Sequence, residues 1–236
     1  MTRKLIAFIL ILNFTACAEL QDVVNQLPQG TGGGISQIDI GNGLREALDL
    51  GIDKQVSKLT QKDGFFRNEL VKILLPEELK KVDKGLRDIG LGSLADDGLK
   101  VLNRAAEDAV GEATPIFIDA VKGITFNDAK TILLGNKDAA TQYLSGRTKT
   151  ALYGKFNPVI KNSFAKVGAD QIWTNLINKY NAIPFTKKVN PDLTDYVTNE
   201  ALKGVYKMIA VEELEIRNKV SSRTTSLLQK VFALQD

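Results

Sequence analysis

The stretch Ser93–Leu144, SLADDGLKVLNRAAEDAVGEATPIFIDAVKGITFNDAKTILLGNKDAATQYL, decides the fold. Leu94, Leu99, Leu102, Ala105, Ala106, Ala109, Val110 and Ala113 recur mostly at steps of three and four, the period of a helix with one apolar face. Ser93 with Asp96 three residues on reads as a capping box at its start. The alanines leave room for a neighbouring helix to approach closely. Pro115 lacks a backbone donor, so the helix is expected to bend or end near Thr114. Ile116, Phe117, Ala120, Val121 and Ile124 carry the apolar face onward. Thr125 with Asp128 forms a second capping box, and Gly135 reads as a C-terminal stop.

The same pattern extends in both directions. Leu44, Ala47, Leu48, Gly51, Ile52, Val56 and Leu59 form an apolar stripe on a helix that Asn42 can cap. Asp63-Gly64 marks a turn, and Phe65–Leu75 an apolar connection ended by Pro76. Pro76, Glu77 and Glu78 suit a helix start, with Gly90 its stop. A helix from Asp138 towards Lys166 is expected to break or kink at Gly146, Gly154 and Pro158. Asp170 can cap a shorter helix, and Asn190-Pro191-Asp192 opens another, with Asn190 as cap. Glu213 with Arg217 and Glu215 with Lys219 read as exposed ion pairs at helical spacing, and Ser222 as the opening of a last helix. Helical periods and caps without a strand signal predict an all-α protein, an irregular multi-helix bundle of about eight helices.

Composition excludes several chemistries. The 236 residues are 44% hydrophobic and 25% charged, an ordinary globular balance. There is no histidine and only one cysteine, so Ser-His-Asp and Cys-His catalysis, His/Cys zinc sites and an intrachain disulfide are all impossible within the chain. No metal or cofactor is expected. The formal charge is +3, and without residues 1–16 there remain 29 basic and 28 acidic residues, a net of +1. Read as alternating along the chain, these charges form no basic stripe of the kind that neutralises phosphates, so no nucleic-acid partner is expected.

The N-terminus suggests where the protein works. Arg3 and Lys4 precede Leu5–Leu12, an apolar run of eight residues, too short for the roughly 20 needed to span a bilayer but right for an export signal. Phe14-Thr15-Ala16-Cys17 then resembles a lipobox, the site at which bacterial lipoproteins are cleaved before a cysteine that becomes lipid-modified; Phe14 stands in place of the usual Leu. The expectation is a signal peptide over 1–16 and lipidation at Cys17. A tether over 17–40, with the run Pro28–Gly34 of linker composition, and one helical domain over 41–236 follow. The protein would then face the periplasm, joined to a membrane through its N-terminal lipid.

Four further stretches resemble a family of exported bacterial proteins known as a domain of unknown function, DUF 4197. They are Asn103-Arg104-Ala105-Ala106-Glu107, Pro115–Ala120, Asp138–Tyr143, and Arg223-Thr224-Thr225 before Leu227. The resemblance implies helical content and an envelope location, and carries no catalytic roles.

Candidate site residues are the polar groups that interrupt the central apolar run: Asn103, Arg104, Glu107 and Asp119. In one reading Arg104 grips an anionic group while Glu107 or Asp119 acts as acid or base. In the other, which we favour, Arg104 is buried and fixes helix packing through Glu107, Asp108 and Asp119. Asp96-Asp97 with Glu107 and Asp119 could supply oxygen ligands to a hard cation, but no calcium-loop spacing supports it. Trp173, Phe65 and Phe66 read as core. The functional expectation is a non-catalytic module that binds an apolar ligand or an envelope protein. The alternative is a carboxylate or oxygen-ligated-metal enzyme using Glu107 and Asp119.

Overall fold

A computed structural model describes residues 35–235 other than 76–79, 89, 91, 183 and 186, and for eleven residues within helices, Trp173 among them, the backbone alone. Cys17, the tether's glycines and the helix start at Pro76-Glu77-Glu78 lie outside the described residues.

Nine α-helices follow one another among the described residues, and no strand occurs there. They are α1 (Gln37–Leu59), α2 (Lys80–Asp88), α3 (Gly92–Val110), α4 (Ala113–Lys122), α5 (Phe126–Leu133), α6 (Ala139–Ala165), α7 (Ala169–Asn181), α8 (Leu193–Asn218) and α9 (Ser226–Phe232). The protein is all-α, as the periodicity predicts. The long helices α6 and α8 lie against each other and form the spine. The central stretch supplies α3, α4 and α5, all of which pack on α6. On the other side α1 crosses α8, touches α4 and α5, and is closed over by α9. Phe117, Leu144, Leu152, Phe156, Val197, Val205 and Phe164 sit fully buried between these layers. Tyr206 meets Phe117 edge to face at 6.0 Å. Two glycines permit the closest approaches: a Cβ on Gly204 would lie 2.7 Å from the Phe65 ring, and one on Gly43 2.7 Å from Val231.

Several boundaries differ from the sequence expectation. Helix α1 begins at Gln37, where Ser36 and Asp39 make a reciprocal capping box, so it reaches back beyond Asn42. Asp96 accepts a hydrogen bond from Arg87 at 2.7 Å, which ties α3 to α2. The break near Pro115 falls at Gly111-Glu112, and Pro115 sits in the first turn of α4, where its missing donor costs nothing. The Thr125–Asp128 box is formed as expected. Helix α6 runs unbroken through Gly146, Gly154 and Pro158, because eight inward residues from Ala140 to Phe164 anchor it on both sides of each breaker. Asp192, rather than Asn190, caps α8; Asn190 instead accepts the Asp192 N–H and donates to Asp195. Thr225, rather than Ser222, caps α9.

Candidate functional site

Three of the four candidate residues act together. Asn103 and the adjacent Arg104, with Glu107 one turn further on, lie on α3 beside the connection that follows α1. Asn103 is wholly buried. Its Nδ2 donates to the carbonyls of Ile73 (2.9 Å) and Leu99 (2.8 Å), and its Oδ1 accepts the Ile73 N–H at 2.8 Å. The side chain thus pairs with Ile73 as a neighbouring strand would. Glu107, 4% exposed, does the same for the turn. Its Oε1 accepts the Phe65 N–H at 3.1 Å, and its Oε2 accepts the Asp63 N–H at 3.3 Å and Arg104 Nη1 at 2.7 Å. Arg104 Nη2 reaches Asp63 Oδ1 at 3.0 Å, closing the set. Asp63 holds φ at +67°, and a Cβ on Gly64 would stand 2.5 Å from the Leu59 carbonyl oxygen. The turn is therefore drawn tight, and the carboxylate of Glu107 satisfies the amides that the tight turn leaves unpaired.

Burial corrects the reading of Arg104. Its side chain is 40% exposed, against 3% for Glu107. It is a partly solvated strap over a buried carboxylate. Of its expected partners only Glu107 is realised; Asp108 accepts from Ser163 on α6 at 3.1 Å, and Asp63 takes the second place. Asp119 is exposed on α4 and takes no part in this set, so Glu107 and Asp119 are not joined. Asp96 and Asp97 are held by Arg87 and Lys100. Among the described residues no three Asp, Glu, Cys or His side chains are placed to hold a metal.

A second polar centre was read in sequence as an exposed pair. Glu213 and Arg217 on α8 are buried, each side chain 6% exposed. Glu213 accepts the N–H groups of Ala140 and Thr141, both at 2.9 Å, and the Thr141 hydroxyl at 2.8 Å, so it caps the start of α6. Arg217 donates to Glu213 and, at 2.8 and 3.1 Å, to the carbonyls of Ile132 and Leu133 that end α5. One ion pair thus joins the ends of two helices to a third. Arg223, 2% exposed, extends the scheme by donating to the Ile216 and Arg217 carbonyls at the end of α8. The signal for this was present. The inward stripe Val205, Ile209 continues in steps of four to Glu213 and Arg217, so helical phase places them inside. Their i, i+4 spacing alone looks like that of Glu215 and Lys219, which are exposed.

A third cluster joins α6 to the start of α8. Tyr153 donates to Asp195 at 2.7 Å, and Asn190 and Asn199 donate to the same carboxylate. That bond pushes the Tyr153 phenol up to about 12, so it stays protonated near neutrality.

Two open volumes border the first two of these clusters. A cavity of about 20 Å³ under Leu48, Ile209, Glu213 and Phe232 has room for about one water. A wider concavity of about 450 Å³ opens over the outer side of the Asp63–Gly64 turn, lined by Lys58, Lys62, Arg67, Glu69 and Leu70 among others. Among the described residues no helix is long and apolar enough to cross a membrane.

Neither the curated proteins nor the solved structures contain a match to this chain. The family described as "Protein of unknown function (DUF4197)" matches residues 34–233, which take in α1 to α9 and all three polar clusters, and the chain belongs to that family.

Proposed function

We propose that the protein is an exported lipoprotein, held at a membrane by a lipid on Cys17, and that its helical domain works by binding rather than by catalysis. The position of the only cysteine carries the first part. It follows Arg3-Lys4, the apolar run Leu5–Leu12 and Thr15-Ala16 in the order a lipoprotein signal requires. The second part is supported by how the interior carboxylates are used. Both oxygens of Glu107 and of Glu213 are taken by backbone amides, hydroxyl or guanidinium, which leaves neither poised to move a substrate proton. The concavity beside Lys58, Lys62 and Arg67 is of a size that suits a ligand or a partner's side chains, and its charged lining favours a polar occupant over an apolar one.

Replacing Cys17 with Ser tests the anchor. The expected result is release of the protein from the membrane fraction into the soluble periplasmic fraction, with loss of labelling by a fatty-acid analogue. Retained labelling would refute lipidation at Cys17. Mass spectrometry of molecules that co-purify with the protein tests the binding role.

A further inference from the structure

The concavity over the outer side of the Asp63–Gly64 turn is walled by an uneven set of charged groups. Lys58, near the end of α1, and Lys62 and Arg67, on either side of the turn, all line it and are all exposed. Two acids, Asp63 and Glu69, line it as well. Asp63 is committed to guanidinium groups. Its Oδ1 accepts from Arg104 Nη2 at 3.0 Å, its Oδ2 pairs with Arg67 Nε at 3.3 Å, and its side chain is only 19% exposed. Arg67 meets that carboxylate through Nε, and its side chain is 81% exposed, so the two terminal nitrogens of the fork remain for another acceptor. Among the described residues neither Lys58 nor Lys62 pairs with a carboxylate. Three cationic donors therefore face one uncommitted carboxylate, Glu69.

A phosphate monoester suits these donors better than a carboxylate does. One guanidinium fork already satisfies the two oxygens of a carboxylate. Two further ammonium groups match an acceptor with a third oxygen and a second charge, which a phosphate monoester has. At about 450 Å³ the hollow is in the range of small-ligand sites and much larger than a phosphate group alone. Beside the cations it offers Gln61 and Glu69, an amide and a carboxylate that can bond hydroxyl groups. The turn beneath is already fixed, because Glu107 holds the Asp63 and Phe65 amides, so its donors need little ordering when a ligand arrives.

We infer that this concavity binds the phosphate monoester of a small polyol, with Lys58, Lys62 and Arg67 on the phosphate and Gln61 and Glu69 on the hydroxyl groups. The inference rests on the proposed binding role and gives it a site and a ligand class. A soluble sugar or glycerol phosphate and a lipid headgroup that ends in a phosphate monoester share this chemistry.

The test uses the full chain carrying Cys17→Ser, titrated separately with glycerol 3-phosphate, glycerol and sodium sulfate while the backbone amide resonances are followed by NMR. Saturable shifts confined to the segment from Lys58 to Leu70 are expected with glycerol 3-phosphate, and none with glycerol. Sulfate, which has the charge but no hydroxyl groups, should bind about tenfold more weakly. Lys58→Gln with Lys62→Gln should weaken the binding of glycerol 3-phosphate at least about tenfold, and Arg67→Gln about tenfold, with circular dichroism and melting temperature unchanged. No saturable shift, shifts centred elsewhere, equal affinity for sulfate, or no effect of the lysine pair would each overturn the inference. Co-sedimentation with vesicles of phosphatidate and of phosphatidylglycerol separates the two sources: retention on phosphatidate alone identifies the lipid headgroup, and no retention on either, with glycerol 3-phosphate still bound, identifies a soluble ester. A co-purified molecule bound away from the turn, with glycerol 3-phosphate giving no shift, would remove this site and leave the binding role standing.

Discussion

Arg104 and Arg217 each pair with a glutamate one helical turn away, at 2.7 and 2.8 Å, yet the first side chain is 40% exposed and the second 6%. The difference lies in what surrounds the pair. Arg104 crosses the outside of a turn and shares its charge with Asp63 and water. Arg217 is buried with its hydrogen bonds going to Glu213 and to the carbonyls that end α5, beside a cavity lined by Leu44, Leu48 and Phe232, where an unpaired charge cannot find solvent. In both clusters the carboxylate is buried and accepts from backbone amides, but only in the second is the arginine buried with it. The arginine is an accessory in one and a structural necessity in the other.

That contrast orders the expected effects. Arg217→Ala strands Glu213 in the interior and removes the donors from the end of α5; a loss of about 3–5 kcal/mol is expected in chemical denaturation, enough to unfold a marginal domain. The double change Glu213→Gln with Arg217→Met should recover a substantial part of it, because the stranded charge is gone. If the double variant is no better than the single, the pair is not acting as a buried charge couple.

Glu107→Ala comes next. It leaves the Asp63 and Phe65 amides without acceptors, at a cost of about 3 kcal/mol. Amide hydrogen exchange should accelerate at those two positions before it changes in α6 or α8. Uniform acceleration would show that the cluster supports the whole core and not the turn alone. Gly64→Ala probes the same turn through sterics. The added Cβ meets backbone carbonyls that cannot move aside, and a loss of about 2 kcal/mol is expected.

Arg104→Ala should cost only about 1 kcal/mol, and Arg104→Lys less, since a half-exposed pair is screened by water. A melting temperature that falls as far as in the Arg217 variant would erase the contrast. The smallest effect concerns Asp128. The backbone N–H of Thr125, then its hydroxyl, hold this carboxyl below its ordinary value. A depressed folded-state value stabilises the protein above the unfolded value, near about 4, and the contribution is lost as pH falls through the folded value. Fraying at the start of α5 is thus expected only in acid. Thr125→Ala should shift the Asp128 titration part of the way back upward, read by NMR.

What the residues declare for themselves follows from local physics. Apolar spacing from Leu44 to Leu59 and from Leu99 to Ala113 specifies helices whatever they pack against, and Thr125 with Asp128 fixes a helix start through bonds three residues apart. The absence of histidine and the lone Cys17 exclude whole classes of chemistry by elimination. Long-range placement is what the local pattern lacks. Gly146, Gly154 and Pro158 weaken a helix locally, and only burial of Leu144, Leu152, Phe156 and Ile160 against α3, α4 and α8 outweighs them. Asn103 and Glu107 are visible as polar residues in an apolar run, but their partners Ile73, Asp63 and Phe65 lie 30 to 44 residues away. Glu213–Arg217 and Glu215–Lys219 share one spacing and nearly one composition. Sequence makes both pairs possible; only the tertiary structure, by laying α5, α6 and α9 over one side of α8, buries the first and leaves the second in water, because desolvation depends on what packs above a residue and not on what precedes it.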